Sequence, residues 1–118
     1  MKIAKTFLFV LALFVAFATT VWAYSYDITI PVKGSTQASQ KLQRDSLFTI
    51  YSFAHRVAEP SCQNFSILDT KVTQPKQNGA WEEVWTIKAC SRVAEVPVNF
   101  TETTYSVNPM KVKYTAGK

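Results

Sequence analysis

Apolar positions in this chain recur at two periods, and the places where the period changes mark its elements. Tyr26, Ile28, Ile30 and Val32 alternate with polar neighbours, the signature of a strand with one buried face. Pro31 faces the other way and lacks a backbone donor, so this strand is expected at a sheet edge or at its own end. Lys33-Gly34-Ser35-Thr36 breaks the alternation, and beyond it Leu42, Leu47, Ile50, Tyr51, Ala54 and Val57 form a helical stripe. The spacing predicts a helix over about 37–58, with Ser35 or Thr36 as N-cap and Glu59-Pro60 as its stop.

The alternation returns on either side of Asn78-Gly79, which predicts a hairpin with a type I′ turn between a strand near Phe65–Gln74 and a strand over Trp81–Cys90. An unbroken register from that turn puts Gln77 opposite Ala80, Val72 opposite Trp85, Thr70 opposite Ile87 and Leu68 opposite Ala89 on the apolar face. The other face receives Asp69 against Lys88, Lys71 against Thr86 and, less comfortably, Ile67 against Cys90. Ala94, Val96, Val98 and Phe100 predict a further strand over Ala94–Thr101, in which Pro97 calls for a bulge or an edge position. A last strand from Tyr105 to Tyr114 is interrupted by Asn108-Pro109, and residues 115–118 are expected to fray. The predicted class is α+β: one long helix packed across an antiparallel sheet of four to five strands, in the order β-α-β-β-β-β. By analogy, that is a cystatin-like plan.

Ahead of these elements, Lys2 and Lys5 precede an unbroken apolar run from Phe7 to Ala18, then Thr19-Thr20-Val21-Trp22-Ala23. This is the layout of a signal peptide over 1–23 cleaved after Ala23, the run being short for a span of roughly 20 residues. The expected product, residues 24–118, is one domain with no stable membrane anchor. Removing the two leader lysines lowers the net charge of the 118-residue chain from +5 to +3. Lys111, Lys113 and Lys118 crowd the C-terminus, so the excess reads as a solvated tail and not as a nucleic-acid surface. Two cysteines in a small exported chain predict one disulfide, Cys62 to Cys90, without the Cys-x-x-Cys spacing of a redox or metal site.

Candidate chemistry is sparse. His55 is the only histidine, which removes multi-histidine metal sites and leaves no recognisable triad, so no catalytic residue, metal or cofactor is assigned. With only three glycines, no phosphate-cradling loop can form. Glu82 and Glu83 are adjacent strand residues that point to opposite faces and cannot flank one substrate. Glu83 shares its face with Trp81 and Trp85, so it is expected at the rim of the core or beside a cation. Trp81 with Glu83 is the candidate ligand site, an aromatic platform for a sugar ring or a cation; the alternative is that Trp85 fills the core and Trp81 caps its end. Asn64-Phe65-Ser66 and Asn99-Phe100-Thr101 are glycosylation sequons, relevant in a eukaryotic host.

The run Trp81-Glu82-Glu83-Val84-Trp85-Thr86-Ile87-Lys88-Ala89-Cys90, followed by Val96-Pro97-Val98-Asn99-Phe100, resembles small exported bacterial proteins in which a Trp-rich strand ends in cysteine. Ser91-Arg92 stands where those proteins often carry glycine. The resemblance implies location and fold, and no activity. The expected function is that of a non-enzymatic binding or interaction protein of the bacterial periplasm or extracellular medium, its partner another protein or an envelope component. Two rivals are a small secreted hydrolase built on His55 and a structural envelope protein assembling through the strand with Pro97 or the edge near Ile28.

Overall fold

Ser39, and not Ser35 or Thr36, starts the helix. The computed structural model describes residues 23–116, so the leader, apart from Ala23, and Gly117-Lys118 lie outside the described residues. Ser39 is extended (φ −61°, ψ 159°) and its hydroxyl accepts from Leu42 N, which satisfies one orphan donor of helix α1 (Gln40–His55). Ser35 and Thr36 are committed elsewhere, to Thr70: Ser35 N donates to its carbonyl at 2.9 Å and Thr36 N to its hydroxyl at 3.1 Å. The helix also stops earlier than Glu59-Pro60 suggests. Val57 N and Ala58 N both turn back to the Ala54 carbonyl, so the last turn tightens and closes at His55.

The helix buries the stripe that was expected, Leu42, Leu47, Ile50, Tyr51 and Ala54, and with it two polar side chains, Gln43 and Ser46. Gln43 accepts from Val32 N at 2.9 Å and donates to Ala38 O at 2.8 Å, so its amide replaces the hydrogen bonds that the two loop groups would otherwise make with water.

Six strands form one sheet: β1 (Ser25–Tyr26), β2 (Asn64–Gln77), β3 (Ala80–Ala89), β4 (Arg92–Thr101), β5 (Tyr105–Val107) and β6 (Lys113–Ala116). The order is β1-β2-β3-β4-β5, with β6 also on β4. The sheet is mixed and not purely antiparallel, because β1 runs parallel to β2 through Ser25–Asn64 and Tyr26–Phe65. Only those two residues of the expected first strand pair. Asp27 N still donates to Phe65 O, but Ile28 is exposed and the Ile30–Pro31 peptide is cis.

Asn78 and Gly79 both have positive φ, 53° and 74°, as a type I′ turn requires, and Gln77 faces Ala80. The unbroken register fails beyond that pair. Three irregularities in β2 move the pairing so that Thr70 faces Trp85, Asp69 faces Thr86 and Ile67 faces Ile87. Ile67 and Thr70 consequently both point into the core, while Leu68 is 43% exposed, and the Asp69–Lys88 and Leu68–Ala89 pairs do not form. Trp85 and Ile87 are fully buried and Asp69 and Lys88 are exposed, as the alternation of β3 alone requires.

β4 is an interior strand. It pairs with β3 in continuous register through Val84–Pro97, with no bulge, and on its other side with β6 (Arg92–Glu95) and β5 (Val98–Phe100). Counting the ladder from the two-residue turn Cys90-Ser91 directs the Pro97 nitrogen away from β3, into the gap between β6 and β5 where a donor is not needed. Asn108-Pro109 splits the last expected strand into β5 and β6 around a 3-10 turn, Pro109–Lys111, capped by the Asn108 side chain on Met110 N. Thr115 and Ala116 do not fray; they pair with Val93 and Arg92. The helix lies against β3 and β4, over a core of Trp85, Ile87, Val96, Val98 and Phe100.

Candidate functional site

Glu83 has no exposed surface, and three N–H donors surround its carboxylate. Its Oε2 accepts from Trp81 Nε1 at 2.7 Å and from the Gln37 backbone N at 2.8 Å, and its Oε1 accepts from Trp85 Nε1 at 3.0 Å. The i±2 spacing on β3 places both indoles on the carboxylate's own face. The Gln37 amide arrives from the loop ahead of the helix, which Ser35 and Thr36 hold against Thr70. The expectation of a rim position or a cationic partner is therefore wrong: three charge-assisted hydrogen bonds stand in for the lost hydration. Glu82 points the other way and accepts from Thr73 Oγ1 at 2.6 Å.

Trp81, 4% exposed, stacks on Phe100 with ring centroids 5.6 Å apart. Lys76 Nζ sits 4.4 Å over the Trp81 ring and is held there by Glu102 at 2.8 Å. The structure thus brings Trp81 and Glu83 together as a buried pair: neither offers an open platform, and Trp85 fills the core as the packing alternative had it.

The open feature at this end of the sheet is a groove of about 540 Å³ beside the pair. Its walls include Gln74, Gln77, Asn99, Thr101, Thr104 and Tyr105, and no lining residue carries a charge. Tyr105 is fixed by its hydroxyl, 3.0 Å from Thr49 Oγ1 on the helix. Sequence reasoning missed this groove, because it joins the tip of β2 to the β4–β5 connection across long sequence separations.

His55 lies at the opposite end, near β1. Its Nε2 is 2.6 Å from the Tyr26 hydroxyl, and its ring packs against Phe65 at 4.1 Å and Tyr24 at 4.7 Å. Burial lowers its pKa below the ordinary value of 6.5. The same burial raises that of Tyr26, and the Tyr51 hydroxyl, which donates to Asp27 O at 2.6 Å, is pushed up further by burial. Among the described residues, no group of three or more His, Cys, Asp or Glu is placed to hold a metal ion. Both sequon asparagines, Asn64 and Asn99, are exposed.

Cys62 and Cys90 are disulfide-bonded with Cα atoms 5.7 Å apart, linking the loop before β2 to the β3–β4 turn. No described helix is long and apolar enough to cross a membrane. Fold and site together define a disulfide-stapled α+β domain, one helix on a mixed six-stranded sheet, with a buried carboxylate between two indoles. No known family, curated protein or solved structure matches the chain.

Proposed function

We propose that this is an exported, non-enzymatic binding protein of the bacterial periplasm or extracellular medium, whose ligand is a neutral glycan of the cell envelope. The observation that carries the reading is the lining of the groove beside Trp81, where exposed amides and hydroxyls of Gln74, Gln77, Asn99, Thr101 and Thr104 converge without a charge. Such groups exchange hydrogen bonds with sugar hydroxyls, and the buried, stacked Trp81 and Phe100 that also border the groove hold its wall rigid, which limits the ordering cost. A cationic ligand fits less well, since the Lys76 ammonium already occupies the face of Trp81. The disulfide is compatible with an oxidising compartment. The strand–helix–meander order is the basis of the analogy with a cystatin-like plan; the parallel pairing of β1 departs from the antiparallel sheet that analogy assumed, and no activity follows from it. The resemblance to exported Trp-rich proteins points to the same location.

Calorimetric titration of the disulfide-bonded protein with neutral oligosaccharides tests this. Tyr105→Ala and Asn99→Ala should each weaken binding at least about tenfold, the equivalent of about 1.4 kcal/mol, while Lys88→Ala at the far end of β3 should leave it unchanged. Absence of binding to any neutral saccharide, or equal loss in all three variants, would sink the proposal.

The rival structural reading through β4 meets a physical obstacle. That strand is paired on both sides, and the chain near Ile28 is not a strand.

A further inference from the structure

We infer that the aromatic patch at the start of the domain is a membrane-facing surface, seated in the headgroup layer of a phospholipid bilayer while the apolar leader is still attached. The inference rests on the export-signal reading of residues 1–23. Tyr24 and Phe48 are 55% and 59% exposed, and unlike the exposed Met110 they are joined, Tyr26 lying between them with ring centroids 6.3 and 5.8 Å away. Together the two exposed rings and the half-buried Tyr26 make one continuous aromatic surface, with Arg44 one helical turn from Phe48, also exposed. Amphipathic aromatic rings with a nearby cation are the side chains favoured at lipid headgroups.

The occupant is indicated by the chain itself. Five residues, 19–23, separate the apolar run Phe7–Ala18 from Tyr24, and five residues span at most about 18 Å when extended. No slack follows them, because Tyr24 already packs edge-on against His55 and Ser25 N donates to Gln63 O at 2.7 Å. A leader held in lipid therefore keeps the Tyr24 end of the domain within about 18 Å of the bilayer, and the surface nearest to it is the one that carries Tyr24 and Phe48.

The test uses the full chain with its leader uncleaved, bound to phosphatidylethanolamine–phosphatidylglycerol vesicles containing lipids brominated near the headgroup. Phe48→Trp places a fluorophore in the patch, and Met110→Trp places one at the opposite edge of the sheet, where Met110 is almost fully exposed. Most of the emission added by Phe48→Trp should be lost to the brominated lipid, and that added by Met110→Trp retained. Flotation with the vesicles but equal quenching of the two variants overturns the inference alone. Failure to float with the vesicles overturns the export-signal reading with it. Self-association in sedimentation that shields the Phe48→Trp emission from lipid identifies a second copy as the occupant, and overturns the inference.

Discussion

Glu83 ties the interior to the loop ahead of the helix, because two buried indole N–H groups and the Gln37 backbone N–H have it as their acceptor. Glu83→Leu keeps the volume and removes every acceptor. Each stranded buried donor costs about 1–3 kcal/mol, so the two indoles alone imply a loss of roughly 2–6 kcal/mol, against a total stability of about 5–15 for domains of this kind. Glu83→Gln, which retains one acceptor oxygen, should lose less. Urea unfolding monitored by tryptophan emission checks both, and equal stability of Glu83→Leu and wild type would refute the clamp. His55 makes a pH prediction. Its folded pKa is depressed by burial, so between that value and the unfolded 6.5 the unfolded chain binds more protons. Stability should be unaffected by this group above 6.5, fall as the pH drops through 6.5, and level off below the folded pKa. His55→Gln should remove that step from the dependence of melting temperature on pH. Asp27 acts in a lower window. The Thr29 side-chain and backbone hydrogen bonds lower its pKa, so its contribution is present above 3.8 and is lost as the pH falls further.

At the level of elements, the loop before α1 and the bulged strand β2 define each other. Gly34 has φ +101°, and a Cβ there would overlap the Thr70 backbone and the Asp69 carboxylate. Glycine is therefore required on two grounds, the left-handed backbone and the close approach. Gly34→Ala should destabilise by about 2 kcal/mol or more. It should also speed amide exchange at Ser35 and Thr36, whose N–H groups bond to Thr70. Wild-type exchange at those amides would contradict the docking. The same contact explains why the sequence misplaced the helix start: Ser35 and Thr36 are good caps by residue type, but Thr70, 34 or more residues away, takes them. The bulges were illegible for a similar reason. Alternation in Phe65–Gln74 cannot show that Ile67 and Thr70 face the same side until the partner strand fixes where the extra residues fall.

For the whole molecule, the disulfide and the sheet order matter most. A bridge closing a separation of 28 residues removes chain entropy from the unfolded state, about 3–4 kcal/mol in that treatment. Cys62→Ser with Cys90→Ser should lower unfolding stability by that order, with the native far-ultraviolet spectrum retained. An unchanged denaturation midpoint would show that the bridge does not constrain the unfolded chain as supposed. What the sequence by itself determined was local and periodic: the helical stripe, the Asn78-Gly79 turn, the inward faces of β3 and β4, and the pairing of the only two cysteines. Each follows from backbone geometry over a few residues or from there being one available partner. The tertiary structure alone decided the parallel pairing of β1, the shifted register of β2, the interior place of Pro97, the burial of Glu83 and the groove beside Trp81. These depend on groups far apart in the chain meeting each other. Whether a buried carboxylate is tolerated, or a proline fits a sheet, is set by the hydrogen-bond partners that meeting supplies.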